Sequence, residues 1–184
     1  MKYTIILLIV LLNSCKTEPK KEVIAANGAD ASVYTMWSDY TGAYPEFKND
    51  EQPESDSFHT NKEDADRLAQ LILNGKKKAG SSLYSVYEKY QIDLPKIGRK
   101  QIVTNFEGEA VAIIEVTSVD ILPFNQISEA YAAMDMGTNN GPLEKWKKAH
   151  WTFFSSFLKE SGEEPTETML IVCEQFKIIW PERK

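Results

Sequence analysis

The run from Ala110 to Leu122 (Ala-Val-Ala-Ile-Ile-Glu-Val-Thr-Ser-Val-Asp-Ile-Leu) constrains the fold more than any other part of the chain. It follows a hairpin signal at Glu107-Gly108 and is rich in β-branched residues, so it reads as one long strand. Alternate residues of a strand face opposite ways. Val111, Ile113, Glu115 and Thr117 therefore share one face, and Ala112, Ile114, Val116 and Ser118 the other. Both faces are largely apolar, which draws the strand, and Glu115 with it, toward the interior. A buried carboxylate needs a cation or hydrogen-bond donors. Lys77 is the candidate partner, in a cleft pair; a structural ion pair is the alternative.

Other segments divide by period. Gln101–Phe106, Ala79–Leu83 and Met169–Trp180 read as further strands. Ser32–Phe47 carries Val33, Met36, Trp37, Tyr40 and Tyr44 at helical spacing, and the acidic stretch 48–58 reads as a loop. Asn61 caps the next helix, with Glu63, Asp64 and Asp66 in its first turn. Ala65, Leu68, Leu71 and Ile72 form its apolar face, and Asn74-Gly75 ends it. The aromatic stretch 83–90 is open between strand and one helical turn. Ile127–Met134 reads as a short helix, 137–141 as a loop, and Pro142 opens a helix to about Glu160. Few strands without a βαβ rhythm predict an α+β fold, a small mixed β-barrel with flanking helices. The 184 residues, 42% hydrophobic, supply one domain with a real core.

The N-terminus carries an address. Lys2 precedes the apolar run Ile5–Leu12, which is too short to span a bilayer and has the length of a signal-peptide core. It ends at Leu12-Asn13-Ser14-Cys15, which resembles a lipobox. That implies a lipid on Cys15 and an envelope location; an ordinary secretory signal is the alternative. The expected layout is a signal peptide over 1–14, a polar tether over 15–31 and one domain over 32–184. Cys173 follows Met169-Leu170-Ile171-Val172 and reads as a small buried hydrophobe.

The net charge is −6; without Met1–Ser14, which holds Lys2, 20 bases face 27 acids, or −7. That balance disfavours tight binding of long duplex nucleic acid. Between 76 and 100 the sign reverses: Lys76, Lys77, Lys78, Lys89, Lys96, Arg99 and Lys100 stand against Glu88 and Asp93. Such a stripe is a candidate anion site or a solvated face.

Gly75-Lys76-Lys77-Lys78-Ala79-Gly80-Ser81-Ser82 is the most informative stretch for chemistry. A helix ends, three cations follow, and small residues leave room for a ligand against the backbone. The two histidines, His59 and His150, form no cluster with Cys, so neither metal nor cofactor is expected. His150 shares a helix face with Leu143, Trp146, Phe153, Phe154 and Phe157, and reads as a packed core histidine rather than a catalytic one.

Asn61-Lys62-Glu63-Asp64-Ala65-Asp66 with Ile72-Leu73-Asn74-Gly75-Lys76-Lys77 resembles the opening of an ASCH domain. Ile114-Glu115-Val116-Thr117, Glu144-Lys145-Trp146-Lys147-Lys148-Ala149-His150-Trp151 and Val172-Cys173-Glu174-Gln175-Phe176 resemble later segments of that family, in order. The resemblance implies a PUA-like barrel with a cleft that binds RNA or modified nucleosides. It also implies, in some members, hydrolysis of N4-acetylcytidine or cleavage of RNA. Of the family's Gly-x-Lys-x-x-Thr-x-Arg motif, Gly75 and Lys77 are retained, whereas Gly80 stands for Thr and Ser82 for Arg. The acid that works with Lys and Thr in deacetylating members falls at Asp135. Ser82, on the face of Gly80, is the better stand-in for the lost hydroxyl than Ser81.

The expected ligand site is thus Gly75, Lys77, Gly80, Ser82 and Glu115, with Lys77, Asp135 and Ser82 as any catalytic set. The expected partner is a small nucleoside- or nucleotide-like molecule or short RNA, with catalysis weak or lost. An amide hydrolase, a ribonuclease or a ligand-free envelope lipoprotein are the alternatives. As a cleft cation, Lys77 is expected to be replaceable by Ala with little change in the free protein's melting temperature.

Overall fold

The computed structural model describes residues 30–182; the signal segment, Cys15 and nearly all of the tether lie outside the described residues. The elements are α1 (Ala31–Ala43), β1 (Ser55–Asp56), α2 (Lys62–Leu73), β2 (Ala79–Leu83), α3 (Tyr84–Tyr90), β3 (Lys100–Thr104), β4 (Ala110–Pro123), α4 (Glu129–Met136), α5 (Pro142–Glu160) and β5 (Leu170–Trp180). The strands form one sheet in the order β1-β3-β4-β5-β2. Only β1 and β3 pair in parallel; the other neighbours are antiparallel. This is the expected α+β arrangement, a mixed five-stranded sheet with flanking helices.

The long strand takes the central place because both of its faces can be covered. Ile113 and Ile102 pack with Val33 and Tyr40 of α1. On the other side Ala112, Ile114 and Val103 pack with Ala69 and Ile72 of α2. A third cluster lies under α4 and α5, where Ala79, Leu83, Ile171 and Cys173 meet Phe124, Tyr131, Trp146 and Phe154. Cys173 is 1% exposed, and burial raises its thiol pKa to about 12, so it is an unreactive core residue at neutral pH. The β4–β5 register shifts between Val116 and Ser118, leaving Thr117 as an extra residue. Such a bulge bends its strand. Before it, β4 runs between β3 and the end of β5; after it, β4 pairs with the start of β5, beside β2.

Local chemistry explains the departures from the sequence reading. The first helix stops at Ala43 rather than Phe47, because Pro45 offers no amide donor and starts a separate 3-10 turn. The segment read as a plain loop contributes β1, held where the Ile102 amide donates to the Glu54 carbonyl at 2.9 Å. Residues 84–90 are helix α3, closed by Gln91 at φ 52°.

Glu115 is the main correction. The register puts it beside Lys100 on β3 and Lys177 on β5, and cross-strand neighbours of opposite charge pair. Its carboxylate lies 2.8 Å from Lys177 Nζ and 3.7 Å from Lys100 Nζ. It therefore forms a half-buried structural ion pair on the sheet. It neither meets Lys77 nor reaches the cleft.

Candidate functional site

The site begins at the end of α2. Gly75 takes the left-handed conformation (φ 62°) that lets a helix stop. The amides of Lys76 and Lys77 then turn back to the Leu71 carbonyl at 2.9 and 3.0 Å. Beyond the turn, the Lys78 amide donates to the Met134 carbonyl (2.8 Å), and the Lys78 carbonyl accepts from the Phe176 amide (2.9 Å). The segment is thus clamped between α4 and β5. On the α4 side Gly137 (φ 64°) permits a close approach. A Cβ there would lie 3.3 Å from both Lys76 C and Lys77 N.

This clamp delivers Lys77 to Asp135. The lysine ammonium donates to the Asp135 main-chain carbonyl at 2.9 Å and ion-pairs with Oδ1 of its carboxylate. The other oxygen, Oδ2, accepts from Ser81 Oγ (2.6 Å) and Trp146 Nε1 (2.8 Å), and lies 3.4 Å from His150 Nε2. Asp135 is 1% exposed and Lys77 5%. Burial alone would raise the Asp135 pKa. The charges of Lys77 and His150, with hydrogen bonds from Lys77 and Ser81, outweigh it and hold the carboxyl below its ordinary range. Burial pushes His150 below its ordinary range, against the pull of Asp135. Tyr131 donates to the Gly80 carbonyl at 2.5 Å and sits 3.1 Å from Ser81 Oγ. Its pKa is raised by burial, so the phenol keeps its proton.

Around this cluster opens a cleft of about 820 Å³. Ser81, Asp135 and His150 line one part of it; Phe58, Phe153 and Phe176 give it aromatic walls. Arg67, Lys145 and Lys148 add cations, and Ser82, Tyr87, Gln101 and Glu174 form a second polar group. Ser82 Oγ is 3.0 Å from Tyr87 OH, and Glu174 Oε2 accepts from Arg99 Nη2 at 3.1 Å.

Of the residues expected at the site, Lys77, Gly80, Ser82 and Asp135 line this cleft. Gly75 shapes the turn but is not among the lining residues, and Glu115 is elsewhere. The hydroxyl beside Asp135 belongs to Ser81, not Ser82. Ser81 lies opposite Cys173, on the sheet face covered by α4 and α5, whereas Ser82 bonds Tyr87 of α3. Because β2 is the sheet's edge strand, residues from both of its faces border the cleft. His150 packs as the sequence reading favoured, stacking on Trp146 at 4.3 Å between ring centroids, and it also lines the cleft. Among the described residues no group of His, Cys, Asp and Glu is placed to hold a metal, and no helix is long and apolar enough to cross a membrane.

The buried titrations set an acid response. His150 has its folded pKa below the ordinary 6.5. As pH falls through 6.5 the unfolded chain takes up a proton that the folded chain refuses, so stability falls. Asp135, also lowered, adds a loss below 3.8, as pH drops through its folded pKa. Glu174 is raised by burial against Arg99 and has the opposite sign: its contribution is complete below 4.5 and fades as pH rises through its folded value. The urea midpoint should therefore fall between pH 7 and pH 5.5, and His150→Phe should flatten that slope. An unchanged slope in the variant would show that His150 protonates freely in the folded chain.

A five-stranded mixed sheet, flanking helices and a cleft at the edge strand define a PUA-like domain. The chain belongs to the ASCH domain family, whose model matches residues 54–180. It is similar to the crystal structure of an ASCH domain from Lactobacillus crispatus, with 34% identity and a TM-score of 0.75 over 83% of this chain and 97% of that one. It is also similar to a protein from Enterococcus faecalis, with 29% identity and a TM-score of 0.72 over 80% and 88% of the two chains. No protein of curated function matches it.

Proposed function

We propose that the cleft binds a small nucleoside- or nucleotide-like molecule, or a short single strand of RNA, in a domain held at the cell envelope by a lipid on Cys15. The observation that carries the reading is the cleft's composition. Aromatic walls suit flat bases, convergent polar groups suit base edges, and Lys145 and Lys148 stand without an ion-pair partner among the described residues. Both lysines lie on α5 one turn apart, so they offer a phosphate two cations on a protein of net charge −6. Long duplex nucleic acid does not fit this charge balance.

The test is calorimetry of the full chain, in mild detergent, with nucleosides and their monophosphates at two salt concentrations. Monophosphates should bind more tightly at low salt, and the double variant Lys145→Gln/Lys148→Gln should lose that advantage. No binding by any of them would remove the reading. The envelope assignment has its own check: Cys15→Ala should release the chain from the membrane fraction, and unchanged retention would count against a lipid anchor.

One observation favours amide hydrolysis of an N4-acetylcytidine-like nucleoside as a second reading. Ser81 supplies a hydroxyl 2.6 Å from Asp135, which is ion-paired with Lys77. The hydroxyl lost at Gly80 thus returns one residue later. Asp135 is a poor base, since its pKa is lowered and its oxygens already accept from Lys77, Ser81 and Trp146. Turnover should accordingly be slow or absent. Robust turnover by the parent chain, lost in Ser81→Ala, would make this reading the primary one.

A further inference from the structure

We infer that Glu174 is the specificity-determining residue of the cleft: its free carboxylate oxygen accepts a hydrogen bond from an N–H on the ligand's base edge. This rests on the proposed nucleoside-binding reading and goes beyond it by naming the group that reads the base. Three carboxylates border the cleft, Asp64, Asp135 and Glu174. Asp135 has both oxygens occupied and is 1% exposed. Asp64 has one oxygen on Arg67 (2.6 Å) and the other on Asn61 (3.1 Å). Glu174 spends only Oε2, on Arg99; Oε1 has no hydrogen-bond partner among the described residues.

Glu174 itself lines the cleft. Glu174 lies directly across from Gly80 in the β2–β5 pairing. With no side chain at 80, the Phe58 ring closes to within 3.3 Å of where a Cβ would stand and walls the cleft beside Glu174. Any side chain at 80 would crowd that ring. A flat base entering here meets Phe58 and Phe176 on its face and Glu174 at its edge. A carboxylate accepts and does not donate, so a ligand presenting N–H is favoured and one presenting only a carbonyl or an alkylated nitrogen is rejected. Burial raises the Glu174 pKa against the pull of Arg99, so a further donor on the carboxylate would favour its charged form. A ligand N–H would supply that donor.

The experiment compares nucleosides with and without an N–H on the pairing edge. The probes are cytidine and adenosine, each with its form dimethylated on the exocyclic nitrogen, and uridine with 3-methyluridine. Binding to the full chain is measured by calorimetry. For a nucleoside that binds, the parent should bind at least about tenfold more tightly than its methylated counterpart, the size expected for a hydrogen bond to a charged acceptor. In Glu174→Gln, Arg99 orients the amide oxygen toward itself and leaves the NH₂ facing the ligand, donor against donor, so the ratio should fall toward one. Glu174→Asp keeps a charge for Arg99 but withdraws the carboxylate by one methylene, and should lower the ratio too; it serves if the Gln variant does not fold. Equal affinities in the unmodified chain overturn the inference while leaving the cleft reading intact. A ratio unchanged in both variants overturns it as well. Absence of binding by all six probes overturns the inference, and the cleft reading falls with it only if the monophosphates also fail to bind.

Discussion

Asp135→Ala should lower the unfolding free energy by about 3–5 kcal/mol, the usual cost of removing one partner from a buried ion pair. The variant strands three groups at once. Lys77, 5% exposed, keeps only the main-chain carbonyl of residue 135 as an acceptor. Trp146 Nε1 loses its 2.8 Å acceptor and Ser81 its 2.6 Å one. Lys77→Ala should also be strongly destabilising, because it leaves an ionised carboxylate 1% exposed without the cation that ion-pairs with its Oδ1. Unfolding in urea, with a check that the slope with denaturant is unchanged, measures both. The double variant Lys77→Met/Asp135→Leu should lose less than the sum of the two singles, since it leaves no buried charge unpaired. A loss under about 1 kcal/mol for either single variant would mean that the pair is solvated, as surface pairs are. The sequence reading expected Lys77→Ala to be nearly silent. That expectation fails on burial: this lysine is a buried strut of the cleft, not a free cation at its mouth.

How far the sequence revealed the fold depended on how local each signal was. The cap at Asn61, the stop at Gly75, Pro142 at a helix start and the long strand around Ile113 are set by residues within one or two turns, and all appear where expected. The motif around Lys77 and the family pattern at Asp135 picked out two residues that pair and line the cleft although 58 residues separate them. Pairings set by register were not legible. Glu115 meets Lys177 because of which β5 residue lies across from it, and a two-residue period cannot say that. Ser81 was passed over for Ser82 on the correct rule that neighbours on a strand face opposite ways. The rule does not tell which face meets α4, nor that an edge strand lets a cleft touch both. Glu174 gave a signal of its own: an acid directly after the apolar stretch Leu170–Cys173 needs a partner, and its partner is Arg99.

Trp146→Ala should cost about 3–5 kcal/mol, the range for truncating a fully buried aromatic ring, and Trp146→Phe should divide that loss into its parts. The indole is 0% exposed and packs on Phe124 at 5.0 Å between centroids and on His150 at 4.3 Å. Its N–H also donates to Asp135 Oδ2 at 2.8 Å. Phenylalanine keeps most of the packing and removes the donor, which should cost about 1.5–3 kcal/mol, the range for a hydrogen bond to a charged group. The two variants should also differ at the cleft. With the donor gone, Asp135 should regain affinity for a proton, so Trp146→Phe should begin its acid-induced loss of stability at higher pH than the parent. That shift separates an electrostatic role from a packing one, because loss of ring volume alone lowers stability equally at all pH values. If Trp146→Phe matches the parent in both midpoint and pH profile, the indole is packing only, and Lys77 and Ser81 suffice to hold Asp135 ionised.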